Sequence, residues 1–313
     1  MTTATPPVRP ASPNKGLLDL HPLISFFAMA FAFSWIAWSP WVLSEDGVGL
    51  LPIKVGAASN LINAAATFLG PALAAFIMTA TTEGRAGIRS LLRRIVLWRV
   101  GLRWYLFAFI GVPLVITLGT IIVPGALASL QFLGPGYMPT YLATFAFVAI
   151  LGGPLGEEIG WRGFALPRMQ PLHGPLVGSI VLGLLWGAWH LPLFVVPTWA
   201  DSSGGSGLLA IVKFFVFAIA VTVVITWVFN NTKGSVLMAI LVHACINAPF
   251  HPYSVLLDPA EAMNGLLLGF GALALLVTAL TRGRLGYQHH RQEQDPDPAA
   301  APTYGGTPEN SGI

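Results

Sequence analysis

Charge is what this sequence has least of. Asp, Glu, Lys and Arg make up 9% of its 313 residues, where a soluble domain carries about 25%. That shortage cannot cover the surface of a water-soluble chain this long, so an ordinary soluble enzyme is excluded. The net charge is only +3, and no basic face alternates with aromatic residues, so no nucleic-acid partner is expected. Cysteine occurs once, as Cys245. A disulfide scaffold and a cysteine-based zinc cluster are therefore excluded, and Cys245 reads as a small packing residue. The H-E-x-x-H zinc motif is absent, and residues 1–16 lack the apolar run of a signal peptide. No repeat of 20–50 residues is visible.

Apolar residues fill the space that charge leaves. Hydrophobic types make up 55% of the chain, and its mean hydropathy is +0.71. A bilayer core about 30 Å thick needs roughly 20 apolar residues in helical form. Eight stretches qualify as candidates: 23–43, 61–81, 104–123, 140–163, 175–196, 208–229, 235–250 and 264–281. The fourth ends in charged residues, and the seventh is short. The expected fold is an all-α polytopic bundle over 17–284, with the motif-bearing core at 140–255. The polar, proline-rich segments 1–16 and 285–313 cannot bury a core and read as disordered tails. His289 and His290 fall in the second tail.

Of the 16 Lys and Arg residues, all but Lys54 and Lys213 fall on one side of this eight-span layout. The positive-inside rule makes that side cytoplasmic, with both termini there and the protein in a plasma (inner) membrane. Residues 85–103 alternate arginines with Ile88, Leu91, Leu92, Ile95 and Leu97. This spacing predicts an amphipathic helix on the inner surface, arginines towards anionic headgroups.

Polar groups inside the spans are costly, at about 2.5–3.5 kcal/mol for a charge at mid-bilayer. Glu157, Glu158 and Arg162 close the fourth span. Glu158 and Arg162 are four apart with Glu first, the favoured helical ion-pair order. Glu157 is turned about 100° away and is not offered that arginine. It is the candidate acid/base. His190 lies deep in the fifth span with Trp186 one turn earlier, and Pro192 predicts a loosened helix after it. Gly183 and Gly187 form a close-packing face. In the seventh span His243 and Asn247 share a face. Helix rise brings all three spans' polar groups towards mid-membrane, where Glu, His, His and Asn together suit water activation.

The ordered set E-E-x-x-x-R (Glu157, Glu158, Arg162), aromatic-x-x-x-H (Trp186, His190) and H-x-x-x-N (His243, Asn247) resembles the CPBP family of intramembrane endopeptidases. That family includes the type II CAAX prenyl proteases and bacterial Abi-like proteins. The resemblance covers roughly 140–255. It departs at Trp186, where the family usually has Phe. It implies hydrolysis of a peptide bond in a membrane-associated substrate, lipidated and CAAX-like among the options. Glu157 would activate water with help from His190, and Glu158 and Arg162 would hold the geometry. His243 and Asn247 would stabilise the oxyanion. The resemblance also implies no required metal. Zinc on Glu157, His190 and His243 is the alternative, since two His and a Glu match the donors of a catalytic zinc site. Two other functions stay open: a non-catalytic immunity or scaffold protein on the same fold, and a transporter. The absence of internal symmetry speaks against the latter.

Overall fold

The structure, a computed structural model, describes residues 20–287 apart from 133, 135, 250–252 and 256. The segments 1–16 and 288–313, with His289 and His290, lie outside the described residues. The packed chain continues slightly past the expected boundary at 285. Leu285 is buried, and its carbonyl accepts from Asn230 Nδ2 at 3.1 Å.

Among the described residues, seven helices are long and apolar enough to cross a membrane. Helix α1 is Pro22–Leu43, and α2 is Gly56–Ile95, which passes through a π-helical turn at Phe68–Ala72. Helix α3 is Leu102–Ile121. Tyr137–His173 is helical in three pieces: α4 (Tyr137–Leu151), α5 (Pro154–Gly160) and, after a π-helical turn at Trp161–Ala165, α6 (Leu166–His173). Then come α7 (Pro175–Trp189), a short α8 (Pro197–Ser202), α9 (Leu208–Asn231), α10 (Val236–Asn247) and α11 (Pro259–Thr281). Two three-residue strands, β1 (Leu130–Phe132) and β2 (Tyr253–Val255), pair antiparallel. The all-α polytopic architecture is as expected for a multi-pass integral membrane protein. Helices satisfy every backbone group internally, which lipid requires, and Ile24, Ile36, Leu208, Leu275 and Leu280 point outward as lipid-facing residues would.

Three expectations need correction. The seventh span is only the 12 residues of α10, about 18 Å long at helical rise. It starts at the Ser235 cap, whose hydroxyl accepts from the Met238 N–H at 3.1 Å. Nine of its twelve residues are buried by protein, so it does not have to match the bilayer's thickness. The fourth span is not one helix. Gly152 and Gly153 break it, and Gly153 adopts φ 123°, a conformation that favours glycine. The amphipathic helix is shorter than 85–103. It is the end of α2, kinked at Gly84 (φ 63°) and finished at Ile95. It also docks on the bundle rather than only on lipid: Leu91 is buried, and Arg94 Nη2 donates to the Gly163 carbonyl at 2.7 Å.

Helix α9 holds the middle of the bundle. Its buried Thr226 hydroxyl meets that of Ser179 on α7 at 2.9 Å. A Cβ added at Gly183 would sit 2.6 Å from Ile219 Cα, and one at Gly187 would sit 3.0 Å from the Phe215 ring. The Gly-x-x-x-Gly face is thus used within the bundle, to bring α7 onto α9.

Candidate active site

Backbone contact sets the position of the glutamates. Helix α5 lies against the π-helical turn of α2 with almost no side chain between them. A Cβ at Gly156 would lie 2.8 Å from the Thr67 carbonyl oxygen, and one at Gly160 would lie 2.7 Å from that of Pro71. Pro154 opens the helix at its first turn, where a proline costs no hydrogen bond. Glu157 follows in that turn, with its N–H on the Gly153 carbonyl at 3.0 Å. A carboxylate is favoured at this end of a helix.

The two glutamates have separate surroundings. Glu158 is fully buried, as is Arg162. Glu158 Oε1 accepts from Arg162 Nη1 at 2.9 Å and from His243 Nδ1 at 2.8 Å. The expected i, i+4 pair is present, and its reach to His243 is new. Arg162 Nε and Nη2 have no partner among the described residues. Glu157 instead accepts from Trp186 Nε1 through Oε2 at 2.5 Å. An indole N–H only donates, so Trp186 adds a polar contact that a phenyl ring at this place lacks.

His190 stands where the α-helical part of its span ends. Helix α7 ends at Trp189, His190 is its C-cap, and Leu191–Val195 continues as a 3₁₀ turn through Pro192. The His190 Nδ1 lies 2.9 Å from the Trp186 carbonyl. A carbonyl only accepts, so Nδ1 carries the proton and Nε2 is left for chemistry. Trp199 stacks on the imidazole at 5.5 Å between centroids, and Phe214 meets it edge-on at 5.2 Å. The same reasoning puts a proton on His243 Nδ1, against Glu158.

Glu157, Trp186, His190, His243 and Asn247 line one cavity of about 330 Å³, roomy enough for several waters. Glu158 and Arg162 stand behind it. Cys245 is buried and does not line it. The structure therefore joins five of the seven expected residues at a common space and makes the other two their support. Asn63 also lines the cavity. Its Oδ1 accepts from Trp38 Nε1 at 3.2 Å. A polar residue inside the second apolar run was a visible signal, and sequence reasoning missed it. Trp199 and Phe214 carried no such signal, being apolar residues in apolar surroundings. Glu157, His190 and His243 have the donor types of a zinc site, but among the described residues no group of three or more His, Cys, Asp and Glu is placed to hold a metal ion.

The class is thus a multi-pass membrane protein with a carboxylate–imidazole cavity enclosed by its helices. Comparison with known proteins points the same way as the three motifs. Residues 139–249 match the family model described as Type II CAAX prenyl endopeptidase Rce1-like, so the resemblance carried by the three motifs is borne out over the segment that holds them. CAAX prenyl protease 2 of Methanococcus maripaludis is 27% identical over 172 residues, which are 54% of this chain and 63% of that protein. The match thus spans less than two thirds of that relative.

Proposed function

We propose that the protein is an intramembrane endopeptidase that hydrolyses a peptide bond of a membrane-associated, CAAX-like lipidated substrate, using water activated by Glu157. The observation that carries this reading is the division of labour between adjacent carboxylates. Glu158 is occupied by Arg162 and His243, while Glu157 borders the cavity together with both imidazoles.

In this mechanism Glu157 takes a proton from a cavity water, and the water oxygen bonds to the scissile carbonyl carbon. His190 aligns that water through Nε2. Asn247 donates its amide N–H to the developing oxyanion. His243, bonded through Nδ1 to Glu158, donates to the same oxygen through Nε2. Collapse of the tetrahedral species breaks the C–N bond, and the proton held by Glu157 passes to the leaving amine. No metal takes part. The arginine-rich end of the bundle is the cytoplasmic face of the inner membrane, by the positive-inside rule.

The test is cleavage of a quenched fluorescent isoprenylated peptide by purified protein, beside Glu157→Ala, each with and without a zinc chelator. Cleavage by the wild type alone, unaffected by chelator, is the expected result. An active Glu157→Ala variant would refute the role of that carboxylate, and chelator sensitivity would return zinc to the mechanism.

A further inference from the structure

A second built site lies at the arginine-rich end, away from the cavity just described. Helix α2 ends at Ile95, and the chain turns through 96–101 before α3 begins at Leu102. Two hydrogen bonds hold the turn in place. The Ser235 hydroxyl, at the start of α10, donates to the Leu97 carbonyl at 2.6 Å, and the Tyr105 hydroxyl donates to the Trp98 carbonyl at 2.6 Å. This brings the start of α3 beside the end of α9. Arg99, Arg103 and Lys233, with Asn231 and Thr232, line a cavity of about 240 Å³ there.

Next to it is a groove of different character. It measures about 340 Å³, shares Arg103, Trp104 and Asn231 with the basic cavity, and is otherwise lined by Phe107 and Trp227. Trp227 packs edge-on against both Trp104 (4.9 Å) and Phe107 (5.3 Å). Among the described residues, no Asp or Glu lines either space. Trp98 and Leu102 are exposed beside the cations, a pairing typical of the membrane–water interface. Both flanking helices are membrane spans, so the basic cavity sits at headgroup level and the aromatic groove runs from it into the hydrocarbon.

We propose that this pair of spaces binds one anionic glycerophospholipid. Its phosphate lies among Arg99, Arg103 and Lys233, and the upper part of an acyl chain lies along Trp104, Phe107 and Trp227. The charge complementarity selects the anion, and the continuity of the basic and aromatic spaces selects a lipid over a free phosphate. Each cation near a headgroup is worth about fivefold in binding. Arg99→Gln should therefore weaken binding about fivefold, and the triple variant R99Q/R103Q/K233Q about 100-fold.

The experiment compares binding of phosphatidylglycerol and phosphatidylcholine to the full chain in mixed micelles by native mass spectrometry. The proteins are the wild type, the triple variant, Arg99→Gln and a control, R85Q/R89Q/R93Q. The control removes three exposed arginines of α2 that line neither space. The expected result is preferential retention of phosphatidylglycerol by the wild type and the control, lost in the triple variant. If the triple variant does not fold, the fivefold effect of exposed Arg99 carries the test. Equal loss in the control would reduce the effect to general surface charge and overturn the proposal. Equal retention of phosphatidylcholine would overturn it too, as would displacement of the lipid by inorganic phosphate at similar concentration.

Discussion

Replacing Glu158 by glutamine should damage the fold far more than the same change at Glu157, one residue away. Glu158 and Arg162 are both fully buried, and Glu158 Oε1 serves Arg162 and His243 together. Glutamine keeps an acceptor oxygen but removes the charge. The Arg162 guanidinium then stays buried without the carboxylate it is bonded to, a loss of about 3–5 kcal/mol. Total stabilities are about 5–15 kcal/mol, so such a variant is near the limit of folding. At Glu157 a glutamine still offers an oxygen to Trp186 Nε1, and the expected cost is about 1 kcal/mol, the scale of one hydrogen bond. Its peptidase activity, however, should fall by about 10²–10⁴, the usual contribution of a general base. Thermal unfolding in detergent, followed by tryptophan fluorescence, reads the first difference, and the quenched-peptide assay reads the second. The double variant E158Q/R162M removes the stranded cation and should regain most of the lost stability. If Glu157→Gln were the more destabilised single variant, or if the double variant were no better than Glu158→Gln, the reasoning would be refuted.

Other outcomes follow from the same geometry. Trp186→Phe keeps a ring but loses the N–H on Glu157; removing one buried hydrogen bond to a carboxylate should lower stability by about 1.5–3 kcal/mol, read by thermal unfolding. Gly160→Ala would put a Cβ 2.7 Å from the Pro71 carbonyl oxygen, so thermal unfolding should show a loss of about 1–3 kcal/mol. Gly271→Ala, with nothing within 4 Å, should show none. In the loop after α1, the Asp46 carboxylate accepts the N–H groups of Val55 (2.6 Å) and Gly56 (2.9 Å). The Gly56 bond foremost, then that of Val55, holds its pKa below the ordinary 3.8. A lowered folded-state pKa gives stability that is present above 3.8 and lost as pH falls through the folded value. Proteolytic protection of 47–55 should therefore persist from neutrality to about pH 4 and fade below it, and Asp46→Asn should remove that pH dependence.

Much of the site was legible because lipid makes every polar residue expensive. Glu157, His190 and His243 stood out in apolar runs for that reason alone, and i, i+4 spacing was enough to pair Glu158 with Arg162. The parts that were not legible depend on contacts between distant segments. The bond from Trp186 to Glu157 spans 29 positions, and that from His243 to Glu158 spans 85; no local pattern announces either. Composition also hid the breaks. Residues 140–163 read as one continuous span because Gly152 and Gly153 are apolar, although their backbone turns the chain there. Pro192 did warn of a loosened helix, but not that α7 would stop at Trp189 and leave His190 at its end. The length of the amphipathic helix was overestimated because 96–103 keeps the same residue types while its backbone is tied to Ser235 and Tyr105.

The backbone contact between α5 and the π-helical turn of α2 governs how this protein can drift. Where two main chains touch through Gly156 and Gly160, the position of the Glu157 carboxylate is inherited from peptide geometry, not from the fit of neighbouring side chains. Leucines, isoleucines and phenylalanines on the lipid-facing surface can be exchanged freely without moving the carboxylate. The residues that cannot be traded are the smallest ones, at which a single added methyl group would push the two helices apart and carry Glu157 away from both histidines.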